Sequence, residues 1–508
     1  MHTASDLRYK RWTLAYLLLF GLTWWAIFSL TRHALDHADM VENYVWGTAW
    51  QWGNNKHPPL FGWITAAWFH LFPTRDWAYY LLEEANLVLA LWWLALAMRR
   101  CLPWDRVLVG VVLTSLVTLY GADSGYKYNA NTAQLPFIAG FAWSLLHALQ
   151  GRRLRWFALA GAFAGAALLS KYSALLLLAA VALPAALALR PPLRTLVAGG
   201  ALAAAVAGAL FLPHVLWSIR HGWPSLHYMH SVHQASSAAG IALAHLTVLV
   251  SALLYCGLTL LVWALARFQL PATAAAPPSV ASPTPRLGGR ILLAALVLTL
   301  SGALLERVTP VPPWLIPVLL FAGWALAERV PDDRDTGLMA RRVLIAALAW
   351  LVLMALAAGG LEMRYRRTPA PPPYVLPQTM AVQVETLYRQ AYGAPIEYAA
   401  GSFPLPYFLA FYGADHPRAL YGFDLAQSTW IDPEALRAGN KVALCGSLRS
   451  FAPPPEPACA ARAAALFGPP DQTRTLQWRV YDPGSRRQAL QTVEVLMWKP
   501  RHPVGAAD

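Results

Sequence analysis

Charge is what this chain has least of. Only 13% of its 508 residues are Asp, Glu, Lys or Arg, about half the share of an ordinary soluble domain. With 57% hydrophobic residues and a mean hydropathy of +0.40, a water-soluble class is excluded and a polytopic membrane protein is implied. Acidic residues are scarcer than basic ones, 26 against 40, which leaves a formal charge of +14. That surplus is no nucleic-acid signature, because no basic–aromatic sheet or groove motif accompanies it. No small-residue cleavage site follows the first apolar stretch, which is too long to be a removable signal, so it reads as a membrane helix. Also missing is the inverted internal symmetry that a transporter or lipid flippase would show.

What is present is apolar runs of the length a membrane demands, about 20 residues for one helical crossing. Eleven candidate spans follow: about 12–31, 77–98, 107–121, 134–150, 157–170, 172–189, 195–213, 243–266, 291–308, 314–328 and 343–360. The two spans flanking Lys171 are short enough to tilt or to stop part-way. Residues 60–72 are apolar, short and bounded by proline, which suits an interfacial helix better than a crossing.

Orientation comes from the basic clusters. Arg8, Lys10 and Arg11 precede the first span and place the N-terminus in the cytoplasm. Alternation then puts Arg99-Arg100, Arg152-Arg153, Arg190/Arg194 and Arg341-Arg342 inside as well, as the positive-inside rule requires. Loops 32–76, 122–133, 214–242 and 309–313 fall outside, with everything after about 361. The chain is expected to divide into a transmembrane domain (1–360) and a soluble α/β domain outside the membrane (361–508).

Two proline-rich stretches punctuate the chain. Residues 271–285 read as a cytoplasmic low-complexity linker, and Thr368–Pro373 as a hinge opening the tail. In the tail, Lys441–Cys445 and Trp478–Tyr481 read as strands, Pro433–Ala438 and Ala458–Leu466 as helices. Of the four cysteines, Cys101 and Cys256 read as isolated thiols. Cys445 and Cys459 share the exported tail, where an oxidising compartment favours a disulfide.

Ionisable groups beside apolar spans are costly and tend to be functional. On the outer side the chain gathers Asp39, Glu42, Lys56, His57, Glu83, Glu84, Asp123, Lys127, Lys171, His230 and Arg307, with Asn129 and Asn131 next to Lys127. They come from several separate loops, which suggests one shared cavity. The segment Asp39–Leu60 also concentrates Trp and Tyr, as a sugar-handling surface at a lipid boundary would. Each residue has a plainer reading too. Asp39 could cap a helix, Lys56 and His57 could snorkel to headgroups, and Asn129 and Asn131 could satisfy loop backbone. Arg307 could pair with Glu306. Glu83 and Glu84 read as exposed at the interface or paired with a lysine, Asp123 as a surface residue. His227, His230 and His233 share a helix face, but no carboxylate or cysteine joins them, so His230 reads as a single contact rather than a metal ligand.

Asp39 followed at a fixed interval by His57-Pro58-Pro59-Leu60 resembles the first outer loop of the family 39 glycosyltransferases. That family includes protein O-mannosyltransferases and bacterial enzymes that modify lipid A with aminoarabinose. Lys127-Tyr128-Asn129-Ala130-Asn131 is similar to the second outer loop of its bacterial members. Ser170-Lys171-Tyr172 and Pro313-Trp314 with Pro317 look familial as well, so the resemblance covers about residues 12–360. It departs where many members carry Asp-Glu: here Met40 follows Asp39 and the nearest glutamate is Glu42.

The resemblance implies a class C glycosyltransferase fold with about 11 transmembrane helices plus interfacial helices, in a bacterial inner-membrane protein with a periplasmic tail. It implies an inverting transfer of a sugar from a polyprenyl-phosphate (undecaprenyl-type) donor to lipid A, an envelope polysaccharide or a protein. Inversion needs a single base, unlike the paired carboxylates of retaining enzymes. Asp39 is expected to accept the acceptor's proton. Lys56, His57, Lys127, Lys171 and Arg307 are expected to meet the phosphate charge, and Glu42, Asn129, Asn131 and His230 to contact donor phosphate or sugar. No cofactor is called for, and a divalent metal, though compatible, is not indicated. A flippase or a non-catalytic membrane scaffold is the rival reading.

Overall fold

The computed structural model describes residues 4–32, 34–35, 38–123, 125–234, 237–272, 286–367, 376–448, 458–482 and 487–499. Both proline-rich stretches, apart from residues 271 and 272, lie outside them.

Each of the eleven apolar spans falls on helix. Among the described residues, six helices are long and apolar enough to cross a membrane: Ala4–Thr31, Asp76–Met98, Leu193–Arg220, Ala238–Tyr255, Leu287–Leu305 and Thr336–Arg364. Shorter apolar helices include Leu60–Leu71, Leu154–Ser170, Ala174–Leu189 and Gly257–Arg267. The protein is a multi-pass helical membrane protein.

The chain divides into two compact units. The first comprises Met1–Phe28, Lys56–Phe61 and Tyr80–Ala358. Small residues let its helices approach closely, the usual device where lipid removes the hydrophobic drive to associate. A Cβ at Gly161 would stand 2.4 Å from the Ala203 carbonyl oxygen, and one at Gly199 would meet the Phe157 ring at 2.5 Å. Those contacts bind Leu154–Ser170 to Leu193–Arg220.

The second unit comprises Ser29–Asn55, Gly62–Tyr79 and Gly359–Asp508. Its tail holds a five-stranded sheet: β1 (Tyr398–Gly401), β2 (Arg418–Ala419), β3 (Lys441–Gly446), β4 (Gln472–Asp482) and β5 (Arg487–Trp498), in the order β2-β1-β3-β5-β4. β1 pairs in parallel with β2 and β3, and β5 antiparallel with β3 and β4. Helices Pro433–Ala438 and Cys459–Phe467 fall within a residue of the sequence expectation. Cys445 and Cys459 are disulfide-bonded, while Cys101 and Cys256 form no disulfide among the described residues.

In the same unit the segment around Asp39 is tied to the tail. Gln51 and Thr429 exchange two hydrogen bonds, at 2.8 and 2.7 Å. Asp76 accepts from the Tyr412 hydroxyl at 2.6 Å and from Gln378 Nε2 at 3.0 Å. Tyr44, Phe69, Tyr79 and Phe411 pack ring on ring, with centroids 5.0–5.7 Å apart. Gly47 and Gly62 let helices Ala38–Thr48 and Leu60–Leu71 touch, because a Cβ at Gly47 would overlap the Gly62 carbonyl oxygen.

Candidate functional site

The first unit places its polar side chains where helices stop. Leu154–Ser170 ends at Lys171, whose extended backbone (φ −162°, ψ 137°) breaks the path before Ala174–Leu189 begins. The half-buried Lys171 ammonium donates to Asn131 Oδ1 at 2.5 Å. A lysine between two apolar helices has found a polar partner 40 residues away, as its desolvation demands.

Asn131 is held by its own loop. Asn129 caps the short helix Ala130–Ala133, its side-chain oxygen accepting from the Asn131 N–H at 2.8 Å. Thr132 Oγ1 accepts in return from the Asn129 N–H at 3.1 Å, completing a capping box. The Thr132 hydroxyl also donates to Glu83 Oε2 at 2.9 Å, and Asn86 Nδ2 donates to the Thr132 carbonyl at 2.9 Å. Glu83 and Glu84, expected from the sequence to be exposed at the interface or paired with a lysine, are instead buried, at 0% and 1% exposure. The helix carrying them begins at Asp76, so they stand about two turns inside it. Lys127, next to this loop, lies over the Tyr126 ring at 4.9 Å, and Asp123 is exposed as expected.

A second cationic pair meets an aromatic that sequence reading passed over. Lys56 Nζ lies 5.2 Å from the Tyr228 ring centroid, and the His57 ring packs edge-on against the same ring at 6.4 Å. Tyr228 belongs to Pro224–His233, the helix of the histidine stripe. Attention to histidines hid the tyrosine between them. Its signal was an aromatic among the polar residues of 214–242, since cations favour ring faces. The side chains of His230 and His233 lie outside the described residues. Tyr172, beside Lys171, bonds His214 Nε2 at 2.7 Å and also Ser225, three residues before Tyr228. His214 is fully buried. The Lys171 break and the helix facing Lys56-His57 are thus hydrogen-bonded neighbours.

Of the other expected residues, Arg307 is exposed, with a left-handed backbone (φ 52°) just after Leu287–Leu305. Asp39 and Glu42 belong to the second unit. Asp39 is half-buried in the first turn of Ala38–Thr48. Glu42 is 1% exposed. Burial, and then the charge of nearby Glu42, hold the Tyr407 phenol well above its ordinary pKa. Burial alone pushes the Tyr44 phenol up to about 12.

Residues 56–217 match the family model described as dolichyl-phosphate-mannose-protein mannosyltransferase. That interval contains Lys56, His57, Lys127, Asn129, Asn131 and Lys171, but neither Asp39 nor Arg307. Among solved structures, the chain is similar to ArnT from Cupriavidus metallidurans bound to undecaprenyl phosphate. There the TM-score is 0.60 at 14% identity, over 95% of this chain and 98% of that one. The apo form of ArnT gives 0.59 at 15%, over 96% and 98%. A looser likeness, 0.41 at 13% over 86% and 70%, is to the oligosaccharyltransferase of Archaeoglobus fulgidus. No curated protein matches the sequence. The fold is that of a class C membrane glycosyltransferase. The resemblance to the family 39 transferases stands with it over residues 56–217.

Proposed function

We propose that this protein is an inverting glycosyltransferase that moves a sugar from a polyprenyl-phosphate donor to a cell-envelope acceptor, on the periplasmic face of the bacterial inner membrane. The observation that carries the reading is Lys171, held by Asn131 at a helix break inside the family-matched interval. The amide oxygen fixes where the ammonium sits, as suits a group that meets a phosphate. ArnT, which shares the fold, is a protein seen bound to undecaprenyl phosphate.

In the reaction the acceptor oxygen attacks the anomeric carbon on the face opposite the phosphate. The bond from that carbon to the phosphate oxygen breaks, and polyprenyl phosphate departs with the electron pair. Asp39 takes the acceptor's proton. Lys56, His57, Lys127, Lys171 and Arg307 stabilise the charge growing on the leaving phosphate, the largest electrostatic demand of the step. Lipid A, an envelope polysaccharide and a protein hydroxyl are the acceptor classes.

The test supplies purified protein with radiolabelled polyprenyl-phosphate sugar and envelope acceptors. A glycosidic product is expected, and Asp39→Asn is expected to lower its rate by about 10²–10⁴, the usual worth of a general base. Label that crosses a bilayer without any glycosidic product would instead make the protein a flippase and end this reading.

A further inference from the structure

The cations considered so far sit near Lys171 and Tyr228. A separate group of arginines lines a cavity of about 230 Å³ elsewhere in the first unit. It is built by two loops, one following Gly257–Arg267 and one following Ala322–Ala327. The loops are laced together: Ala272 and Arg334 form an antiparallel bridge, and the Asp335 N–H donates to the Pro271 carbonyl at 3.1 Å. Arg267 ends the helical path that begins at Ala238. About 45 Å of helix therefore separates it from the segment after Tyr228.

Arg267, Arg329 and Arg334 line the cavity beside Trp263, Leu270 and Val330. Each guanidinium is positioned by a contact that leaves most of its donors unused. Arg267 lies over the Trp263 ring at 4.4 Å, which engages no N–H at all. Trp263 is itself fixed by an indole N–H donated to the Leu326 carbonyl at 3.2 Å. Arg329 donates one N–H to the Ala325 carbonyl and Arg334 one to the Leu270 carbonyl, both at 2.8 Å. Guanidinium carries five N–H donors. No carboxylate among the described residues lines the cavity. Among the described residues, the one acid within ion-pair reach of the three arginines is Asp333, 3.9 Å from Arg334 and 69% exposed. Exposed pairs of that kind contribute little.

Three exposed guanidinium groups beside Trp263, Leu270 and Val330 suit a phosphate that carries a hydrocarbon or glycerol part, since Arg matches phosphate bidentately. The volume decides the size of the ligand. At about 230 Å³ the cavity is smaller than an ordinary small-molecule pocket of roughly 300–1,000 Å³, so it takes a phosphoryl headgroup and not a whole lipid-linked sugar. We propose that Arg267, Arg329 and Arg334 form a second anion site, apart from the transfer site, that binds a phosphate group of a lipid or of a free phosphate.

Full-length protein in nanodiscs would be assayed by native mass spectrometry for retained phosphatidylglycerol against phosphatidylcholine, and by thermal midpoint with and without inorganic phosphate. The wild type is expected to retain phosphatidylglycerol about tenfold more than the variant Arg267→Ala/Arg329→Ala/Arg334→Ala, as loss of charge-assisted contacts predicts. Arg329→Lys, which keeps charge but loses the fork, is expected to fall between them. A midpoint raised by inorganic phosphate in the wild type, and not in the triple variant, supports a free-phosphate source. Selective phosphatidylglycerol retention without that shift supports a lipid source. Arg152→Ala/Arg153→Ala, removing two exposed basic residues elsewhere, is the control. Equal retention together with an equal phosphate-induced midpoint shift in wild type and triple variant, or an equal loss in the control, overturns the site. Neither readout involves sugar transfer, so the outcome is independent of the proposed activity.

Discussion

At the scale of single residues, Lys171 and Asn131 separate charge from orientation. Lys171→Met removes the ammonium and is expected to lower kcat/KM for a polyprenyl-phosphate sugar by about 10²–10³, as loss of one transition-state donor does. Asn131→Ala keeps the ammonium but loses its 2.5 Å anchor, and about a tenfold loss is expected, the worth of one hydrogen bond to a charged group. Asn131→Asp is the sharper variant. A carboxylate at that position would neutralise Lys171, so the loss should exceed that of Asn131→Ala, although the substitution is nearly isosteric. If Asn131→Asp matches the wild type in steady-state assays, Lys171 does not serve the phosphate. Lys171 was legible in sequence because a lysine between two apolar runs has no inexpensive place to sit. Tyr228 was not, because an aromatic that receives cations looks like any other interfacial aromatic until its partners, Lys56 and His57, are placed.

At the scale of elements, the loop that presents Asn131 depends on one side chain doing two jobs. Thr132 closes the capping box of Ala130–Ala133 and donates to one carboxylate oxygen of the fully buried Glu83. Thr132→Val keeps the shape but strands both partners, and a loss of about 1–3 kcal/mol is expected for a buried polar group left without its bond. Thr132→Ser should restore most of it. Thermal unfolding in detergent reads the difference, and equal midpoints for Val and Ser variants would show the bond to be idle. The helices themselves were open to reading because hydropathy at spanning length is a local property. The Glu83–Thr132 bond joins residues 49 positions apart, and no local pattern announces such a pair. The expected exposure of Glu83 and Glu84 failed for that reason. The cysteine pair succeeded because compartment and shared domain, rather than contact geometry, decided it.

At the scale of the whole molecule, the same degree of exposure means different things in different places. Ala238–Tyr255 is apolar, yet only 6% of its window is buried in the protein, and Leu246 near its middle is 57% exposed. Val382, on the tail helix Pro377–Tyr392, is 59% exposed, but that helix carries Gln378, Gln383, Glu385 and Arg389. If lipid is the solvent of the first helix and water that of the second, one substitution discriminates them. Leu246→Arg places a cation at the centre of a span, where about 2.5–3.5 kcal/mol opposes insertion. Val382→Arg exchanges a β-branched residue for a good helix former on a wet surface, where changes within about 0.5 kcal/mol are usual. Membrane-fraction yield and monodispersity after extraction should fall for Leu246→Arg and stay at the wild-type level for Val382→Arg. Equal yields for both would mean that Ala238–Tyr255 is covered by protein rather than lipid. The long apolar face of that helix would then need a partner of its own.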